Sequence, residues 1–178
     1  MPFTSENQAN RWHTNTREDP SGISSYIGVV ESHAITWNEP ALFSRVLRRF
    51  CLFKKLWMHE TEIPDELPGR LSHGEFGEGI TFLFLCFPRC ALSTMVSLIL
   101  SFPNLKHLVI QPRRDMSQEP LSTSSVASRK RPLDLLELHG NACRVAEALV
   151  QNKFVSRRLI LDIYISGVQR LFCSHRRL

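Results

Sequence analysis

Two cysteines and two histidines are the first side chains in this sequence that could do chemistry. Cys86 and Cys90 are separated by three residues, and His107 and His139 follow them in the chain. A structural zinc site takes four such ligands, usually as two closely spaced pairs. His107 and His139 are too far apart to form the second pair. The sequence therefore predicts two buried thiols beside a turn, and no metal or cofactor.

A glycine-rich stretch at residues 74–79, GEFGEG, resembles a phosphate-binding loop. Such a loop follows a strand and begins a helix, whereas this stretch precedes the β-rich residues 80–87. Its two glutamates would also repel phosphate. The sequence contains no Gly-x-Ser-x-Gly motif, no His-Glu-x-x-His motif and no convincing carboxylate pair. We therefore expect no enzymatic activity.

A recurring apolar pattern is the strongest structural signal in the chain. The form apolar-x-x-apolar-x-apolar, with a shortened last copy, occurs at residues 53–58, 80–85, 105–110, 133–138 and 159–161. Intervals of 27, 25, 28 and 23 residues separate the central positions, which are Leu56, Leu83, Leu108, Leu136 and Leu159. Repeats of about 20 to 29 residues with this pattern are typical of leucine-rich repeats. The sequence therefore predicts an α/β fold, an irregular leucine-rich-repeat solenoid of strand–turn–helix units with a short parallel sheet.

Composition divides the chain into three parts. Residues 1–22 are polar and aperiodic, which predicts a disordered N-terminal segment. Residues 23–178 are predicted to form one leucine-rich-repeat-like domain. Within it, residues 112–132 are rich in Ser, Pro and Arg and are predicted to be an exposed, disordered insertion.

The segments between the predicted strands carry apolar residues at helical spacing. Return helices are predicted around residues 43–50, 92–100 and 142–150, with Val150 on the buried stripe of the last, and a short or irregular one before Leu83. Residues 26–30 are β-rich and are predicted to be a degenerate first strand, with Val30 spaced to align with Leu56. Residues 166–178 are predicted to be a final amphipathic helix.

The side chains that flank the inward leucines are expected to point out of the sheet. The middle column of this outward face is Trp57, Phe84, Val109, Glu137 and Ile160. Its predicted flanking members are Lys55, His107, Arg158 and Asp162. Since adjacent strands lie about 4.8 Å apart, Trp57 and Phe84 would form an exposed aromatic pair, which predicts a partner-binding face. Cover by the insertion, or a shift of one residue in register, is the alternative interpretation.

Charge and composition narrow the class of partner. The 22 basic and 17 acidic residues give a net charge of +5, which is too small and dispersed to favour nucleic acid as the partner. Residues 80–102 are long enough to span a membrane, but Pro88 and Arg89 divide them into a strand and a helix, so no membrane partner is expected. Five cysteines, no glycosylation sequon and a polar N-terminus favour an intracellular location, cytoplasmic or nuclear.

Several stretches taken together resemble the leucine-rich-repeat-like region of fungal F-box-type proteins. They lie within residues 26–165 and read LFSRVLRRF, FKKLWM, GEGITFLFL, SFPNLKHLVI and PLDLLELHG. The resemblance implies a receptor whose repeats present a protein target to a ubiquitin ligase and which has no catalytic residues of its own. In that family an F-box holds the ligase adaptor. Residues 1–22 do not supply one, so coupling to the adaptor is not expected, and the chain is expected to begin and end inside a longer repeat array.

The sequence thus predicts a non-enzymatic protein–protein interaction module whose protein target it does not identify. Two alternatives stay open. The first is a truncated remnant of such a receptor with no active partner, because uncapped repeat arrays expose their core edges. The second is a binder of anionic surfaces or nucleic acid that acts through the basic residues 113–131, for which binding would depend steeply on salt.

Overall fold

The computed structural model describes residues 2–3, 29–36, 42, 54–72, 78–113, 132–165 and 168–174. The strands in these ranges are β1 (Pro2–Phe3), β2 (Val29–His33), β3 (Lys55–His59), β4 (Phe82–Cys86), β5 (His107–Gln111), β6 (Leu135–His139), β7 (Leu159–Ile165) and β8 (Val168–Ser174). The helices described in full are α1 (Leu67–Ser72), α2 (Leu92–Leu100) and α3 (Cys143–Gln151).

The strands form one sheet in which each strand lies beside its neighbour in sequence. Every pair from β1 to β7 is parallel, and β8 is antiparallel to β7. Parallel neighbours need a crossover connection, and α1, α2 and α3 lie in three of these connections. The predicted α/β class and the parallel sheet are confirmed.

The central leucines of the repeat align across the sheet as their spacing predicts. Leu56 pairs with Leu83, and the ladder continues through Leu108, Leu136 and Leu159. Val30 pairs with Leu56, so the degenerate first strand is also observed in the predicted alignment. Residues 26–28 lie outside the described ranges.

One hydrophobic core fills the space between the inward side of the sheet and the helices. The strands contribute two inward rows, and in their central part Leu56, Leu83 and Leu108 are completely buried. Helix α2 contributes Met95, Leu98 and Ile99 to the same core. Each such side chain stabilises the fold by about 1.5–3 kcal/mol through burial, an upper estimate that ignores residual structure in the unfolded chain.

A buried hydroxyl group donates hydrogen bonds to backbone carbonyls where two neighbouring repeats meet. At the end of α2, the Ser101 hydroxyl donates a hydrogen bond to the Ser97 carbonyl at 2.9 Å and also lies 3.0 Å from the Pro68 carbonyl of α1. Because the hydroxyl has one hydrogen, it either alternates between the two carbonyls or is shared between them in a bifurcated hydrogen bond. Ser101 therefore ties the short helix α1 to its longer neighbour.

Within the described ranges, a left-handed backbone residue directly follows four of the strands. The residues are Ala34 (φ 52°), Glu60 (φ 49°), Phe87 (φ 50°) and Gly140 (φ 70°). Each backbone N–H donates to a carbonyl of the next strand at 2.7 to 2.8 Å: the first three to the last residue of that strand, and Gly140 to Asp162 in the middle of β7. The left-handed turn lets the chain leave the sheet while the ladder is extended by one further hydrogen bond.

Two predictions made from apolar spacing are wrong. Residues 168–174 form strand β8 rather than part of a helix. Only Ser166 and Gly167 separate it from β7, a length typical of hairpins, and the edge of β7 offers unpaired backbone groups. Val150 is 73% exposed, whereas Ala148 is buried in its place, because α3 turns a slightly different stripe towards the core.

Other predictions fall largely on residues outside the described ranges. Of the helix predicted around residues 43–50, the nearest described residue is Leu42, which is helical and buried. Of the N-terminal segment 1–22, Pro2 and Phe3 pair with β2 as strand β1. Of the insertion 112–132, the described residues are 112, 113 and 132.

The apolar stretch at residues 80–102 is divided as predicted. It contains strand β4, the connection through Pro88 and Arg89, and helix α2, which has nine residues. Within the described ranges, no helix has the length and apolar character needed to cross a membrane.

Candidate functional site

The outward face is the side of the sheet opposite the helices. Its middle column carries one residue from each of the strands β2 to β7, in register: Glu31, Trp57, Phe84, Val109, Glu137 and Ile160. On β3 the two residues that flank the buried Leu56, Lys55 and Trp57, are both exposed. The predicted column therefore exists as one continuous row across six strands.

Trp57, Phe82 and Phe84 form an aromatic cluster on this face. The Trp57 ring centroid lies 5.6 Å from that of Phe84 and 6.3 Å from that of Phe82, and both ring pairs are tilted. These separations are in the range of favourable aromatic contacts. Trp57 is nevertheless 38% exposed, whereas both phenylalanines are half-buried. The phenylalanines hold the indole in place and leave part of its surface open.

Two of the predicted flanking residues contact the aromatic cluster. The Lys55 ammonium lies 5.8 Å from the centroid of the Phe82 ring, within the range of a cation–π interaction. On the other side, the His107 ring meets Phe82 edge-on at 6.2 Å. The cluster and its polar margin therefore span β3, β4 and β5 as one surface.

Val109 belongs to the middle column but does not belong to the exposed surface. It is only 7% exposed, so the prediction that it offers contact area is wrong. Its register neighbours are Phe84 and Glu137, whose side chains are longer. A valine between two longer side chains is sheltered even on an outward face.

The far end of the outward face is polar. His139 Nδ1 lies 3.5 Å from Asp162 Oδ2, and its Nε2 lies 3.5 Å from Glu137 Oε2. A protonated imidazole can donate to both carboxylates, whereas a neutral one can donate to only one. Asp162 Oδ1 is buried and accepts no hydrogen bond within the described part of the chain. His139, which is not one of the predicted site residues, therefore links the predicted residues Glu137 and Asp162.

The ends of β7 and β2 complete the surface. Arg158 is exposed just before β7, and Ile160 is half-buried within it. At the opposite side, His33 Nε2 lies 3.3 Å from Glu31 Oε2, and the His33 and His59 ring centroids are 5.7 Å apart. Each acidic residue of the middle column therefore has a histidine beside it.

The Cys86 thiol forms a hydrogen bond between two neighbouring strands. It donates a hydrogen bond to Gln111 Oε1 at 3.4 Å. Burial raises the pKa of this thiol, and the Glu60 carboxylate adds to the rise, so the group stays protonated and unreactive at neutral pH. Cys86 is buried as predicted, whereas Cys90 is only half-buried. Among the described residues, no three His, Cys, Asp or Glu side chains are placed to hold a metal ion.

An open depression of about 340 Å³ lies where β3, β4 and β5 end. Glu60, Phe87, Arg89 and Arg113 line it. Sequence reasoning did not find this feature, because its residues follow the strands in loops of unrelated sequence. Glu60 directly follows β3 and Phe87 directly follows β4. This repeated position is the sequence signal that could have indicated the depression.

The outward face as a whole presents aromatic surface and charged side chains that a partner could contact. Trp57, Phe84, Lys55 and His107 are brought together around Phe82, and Glu137 and Asp162 form a second group. Ile160 lies on β7 beside Glu137, and Arg158 lies just before that strand. No family model, no curated protein and no solved structure matches this chain.

Proposed function

We propose that the chain is a non-enzymatic protein-interaction module, an irregular leucine-rich-repeat solenoid whose outward face binds a protein partner. The observation that carries the proposal is Trp57, a large aromatic side chain held by Phe82 and Phe84 yet 38% exposed. Tryptophan is enriched among the residues that dominate binding energy at interfaces. A partly exposed indole on a packed aromatic base is suited to that role.

The repeat architecture in this proposal is supported by three features. The strands follow one another across the sheet in chain order, their central leucines are in register, and the core lies on the helix side. The intervals fall within the range of leucine-rich repeats. By resemblance, the natural role of such a face is recognition of a substrate protein, in the manner of an F-box-type receptor.

A peptide-display selection tests the binding role directly. Random peptides are selected on the full chain, with removal of those that also bind the Trp57→Ala variant. We expect enriched peptides whose affinity falls at least about tenfold on Trp57→Ala, because aromatic anchors at interfaces contribute about 2 kcal/mol or more.

Val150→Ala is the matched control for that selection. Val150 is also an exposed apolar residue, but it lies on helix α3. Enriched peptides should bind this variant normally. A selection that yields no Trp57-dependent peptide would refute the proposed function, and a broad, non-cooperative thermal melt of the chain would favour a non-functional remnant.

A further inference from the structure

Exposed basic side chains lie along the edge of the sheet at which its strands begin, next to the outward face. The basic rim comprises Lys54, Lys55, Lys106 and Arg158, all of them exposed. They lie where strands β3, β5 and β7 begin. Backbone hydrogen bonds align the rim: the Lys54 carbonyl accepts from Thr81 N–H at 2.9 Å, and Lys106 N–H donates to the Thr81 carbonyl at 2.8 Å.

The charges of the basic rim are not neutralised by the described part of the protein. The neighbouring Arg157 lies 3.5 Å from Asp134, but no described carboxylate is within ion-pair distance of the four rim side chains. The acidic groups of the outward face differ in this respect, since Glu31 lies beside His33 and Glu137 beside His139. Within the described ranges, the edge therefore carries four cations without a carboxylate partner and one carboxylate, Asp134, that is paired with Arg157, whereas the carboxylates of the middle column lie beside histidines.

The basic rim directly adjoins the aromatic cluster. Lys55 precedes Trp57 by two residues on the same side of β3, and its ammonium lies over the Phe82 ring. Because strands lie about 4.8 Å apart, the rim extends about 19 Å from β3 to β7. An extended peptide of about six residues covers that length. One short segment can thus reach the cations and the indole together.

We propose that the partner of the outward face is an acidic peptide segment that also carries an apolar side chain. Its carboxylates would pair with the basic rim, and its apolar side chain would pack on Trp57. This inference rests on the proposed function and adds the chemistry of the partner. A nucleic-acid strand fits less well, because four rim cations on a chain with a net charge of only +5 are a small electrostatic footprint for a phosphate backbone.

Fluorescence anisotropy with defined probes tests the inference. The probes are a labelled peptide of alternating Glu and Leu, the same peptide with Lys for Glu, the same peptide with Ser for Leu, and an oligothymidylate of equal charge. The full chain is titrated into each at low and at physiological salt. We expect the Glu–Leu peptide to bind most tightly and its affinity to fall with salt.

Charge-reversal variants locate the binding. Lys55→Glu and Lys106→Glu should each weaken the Glu–Leu peptide about tenfold, since each replaces an attraction with a repulsion at the interface. Arg144→Glu is the matched control: it makes the same change in charge on helix α3, where the Arg144 guanidinium pairs with its neighbour Glu147. It should leave the affinity unchanged.

The possible outcomes separate this inference from the proposed function. If the Lys–Leu peptide binds as tightly as the Glu–Leu peptide and depends on Trp57, the acidic partner is refuted while the binding face stands. If oligothymidylate binds most tightly and loses affinity in the rim variants, the partner is a nucleic acid. If no probe binds, or if Arg144→Glu weakens binding as much as Lys106→Glu, the basic rim is not the recognition element.

Discussion

Trp57 and Phe84 are partners in register on adjacent strands, with ring centroids 5.6 Å apart and ring planes inclined by 54°. The contact is formed between two outward side chains, so it does not depend on the core beneath the sheet. It holds the indole in a fixed position while leaving it 38% exposed. This relationship allows binding and stability to be separated by mutation on a single strand.

Trp57→Ala should reduce the free energy of unfolding by only about 1 kcal/mol, the order expected for a lost aromatic pair at a partly exposed site. Urea denaturation followed by circular dichroism measures the change. Leu56→Ala is the internal reference, because Leu56 is the completely buried neighbour on the same strand and its truncation should destabilise the fold by about 2–5 kcal/mol. Equal losses for the two variants would place Trp57 in the core.

A buried hydroxyl pair joins β2 to the segment after β3. Ser32 and Thr61 are both buried, and their hydroxyl oxygens lie 2.9 Å apart. The Thr61 hydroxyl is also within 3.1 Å of the Ser32 carbonyl. Thr61→Val keeps the shape but removes the polar partner, so it should destabilise the fold by about 1–3 kcal/mol.

A double-mutant cycle checks the assignment of that loss. Ser32→Ala combined with Thr61→Val removes both hydroxyl groups, so the double variant should be less destabilised than the two single changes predict together. Strict additivity in urea denaturation would show that the two hydroxyls do not interact.

Periodicity and spacing were sufficient to predict strands β2 to β7 and their alignment, but not β1 or β8. The leucines at the central positions recur because each must enter the same core, and Leu56, Leu83 and Leu108 are accordingly paired and buried. The aromatic pair on the outward face follows from the same alignment, since residues beside an inward leucine point outward. That part of the candidate site needed no information beyond the spacing.

Features that depend on neighbours in space were not predictable in this way. The shelter of Val109 depends on which side chains flank it in register, and the exposure of Val150 on how α3 is rotated against the sheet. The segment 168–174 has apolar residues compatible with either a helix or a strand. It forms a strand because it can hydrogen-bond to the free edge of β7. The basic rim is formed by residues from three repeats and has no signature in any one of them.

The left-handed turns after the strands provide a reciprocal pair of substitutions. Gly140 occupies this position after β6, and Ala34 occupies it after β2. An added Cβ at Gly140 would meet no atom within 4 Å, so Gly140→Ala should cost about 1 kcal/mol through backbone strain alone. Ala34→Gly should relieve the same strain, partly offset by the greater entropy of glycine in the unfolded chain.

Urea denaturation of both variants tests this account of the turns. The expected result is a loss for Gly140→Ala and a gain of up to about 1 kcal/mol for Ala34→Gly. Destabilisation by both substitutions would mean that these positions are not governed by the left-handed conformation.

The Cys86 thiol should make the stability of the protein depend on pH in the alkaline range. Burial, followed by the Glu60 carboxylate, raises the pKa of this thiol in the folded state. In the unfolded chain the thiol ionises near its ordinary pKa of about 8.5. The contribution to stability is therefore complete below that pH and is lost as the pH rises through the higher folded pKa, because the unfolded state gives up the proton first.

Comparison with Cys86→Ala isolates this contribution, since groups that titrate equally in both proteins cancel. The difference in free energy of unfolding between the native sequence and the variant should shrink when the pH is raised from about 7.5 to about 9.5, a range that brackets the ordinary thiol pKa. Alkylation by iodoacetamide, followed by mass spectrometry, gives a second measurement: the exposed Cys143 should react faster than the buried Cys86. A difference that is constant with pH, together with equal alkylation rates, would show that the Cys86 thiol is not buried in the folded protein.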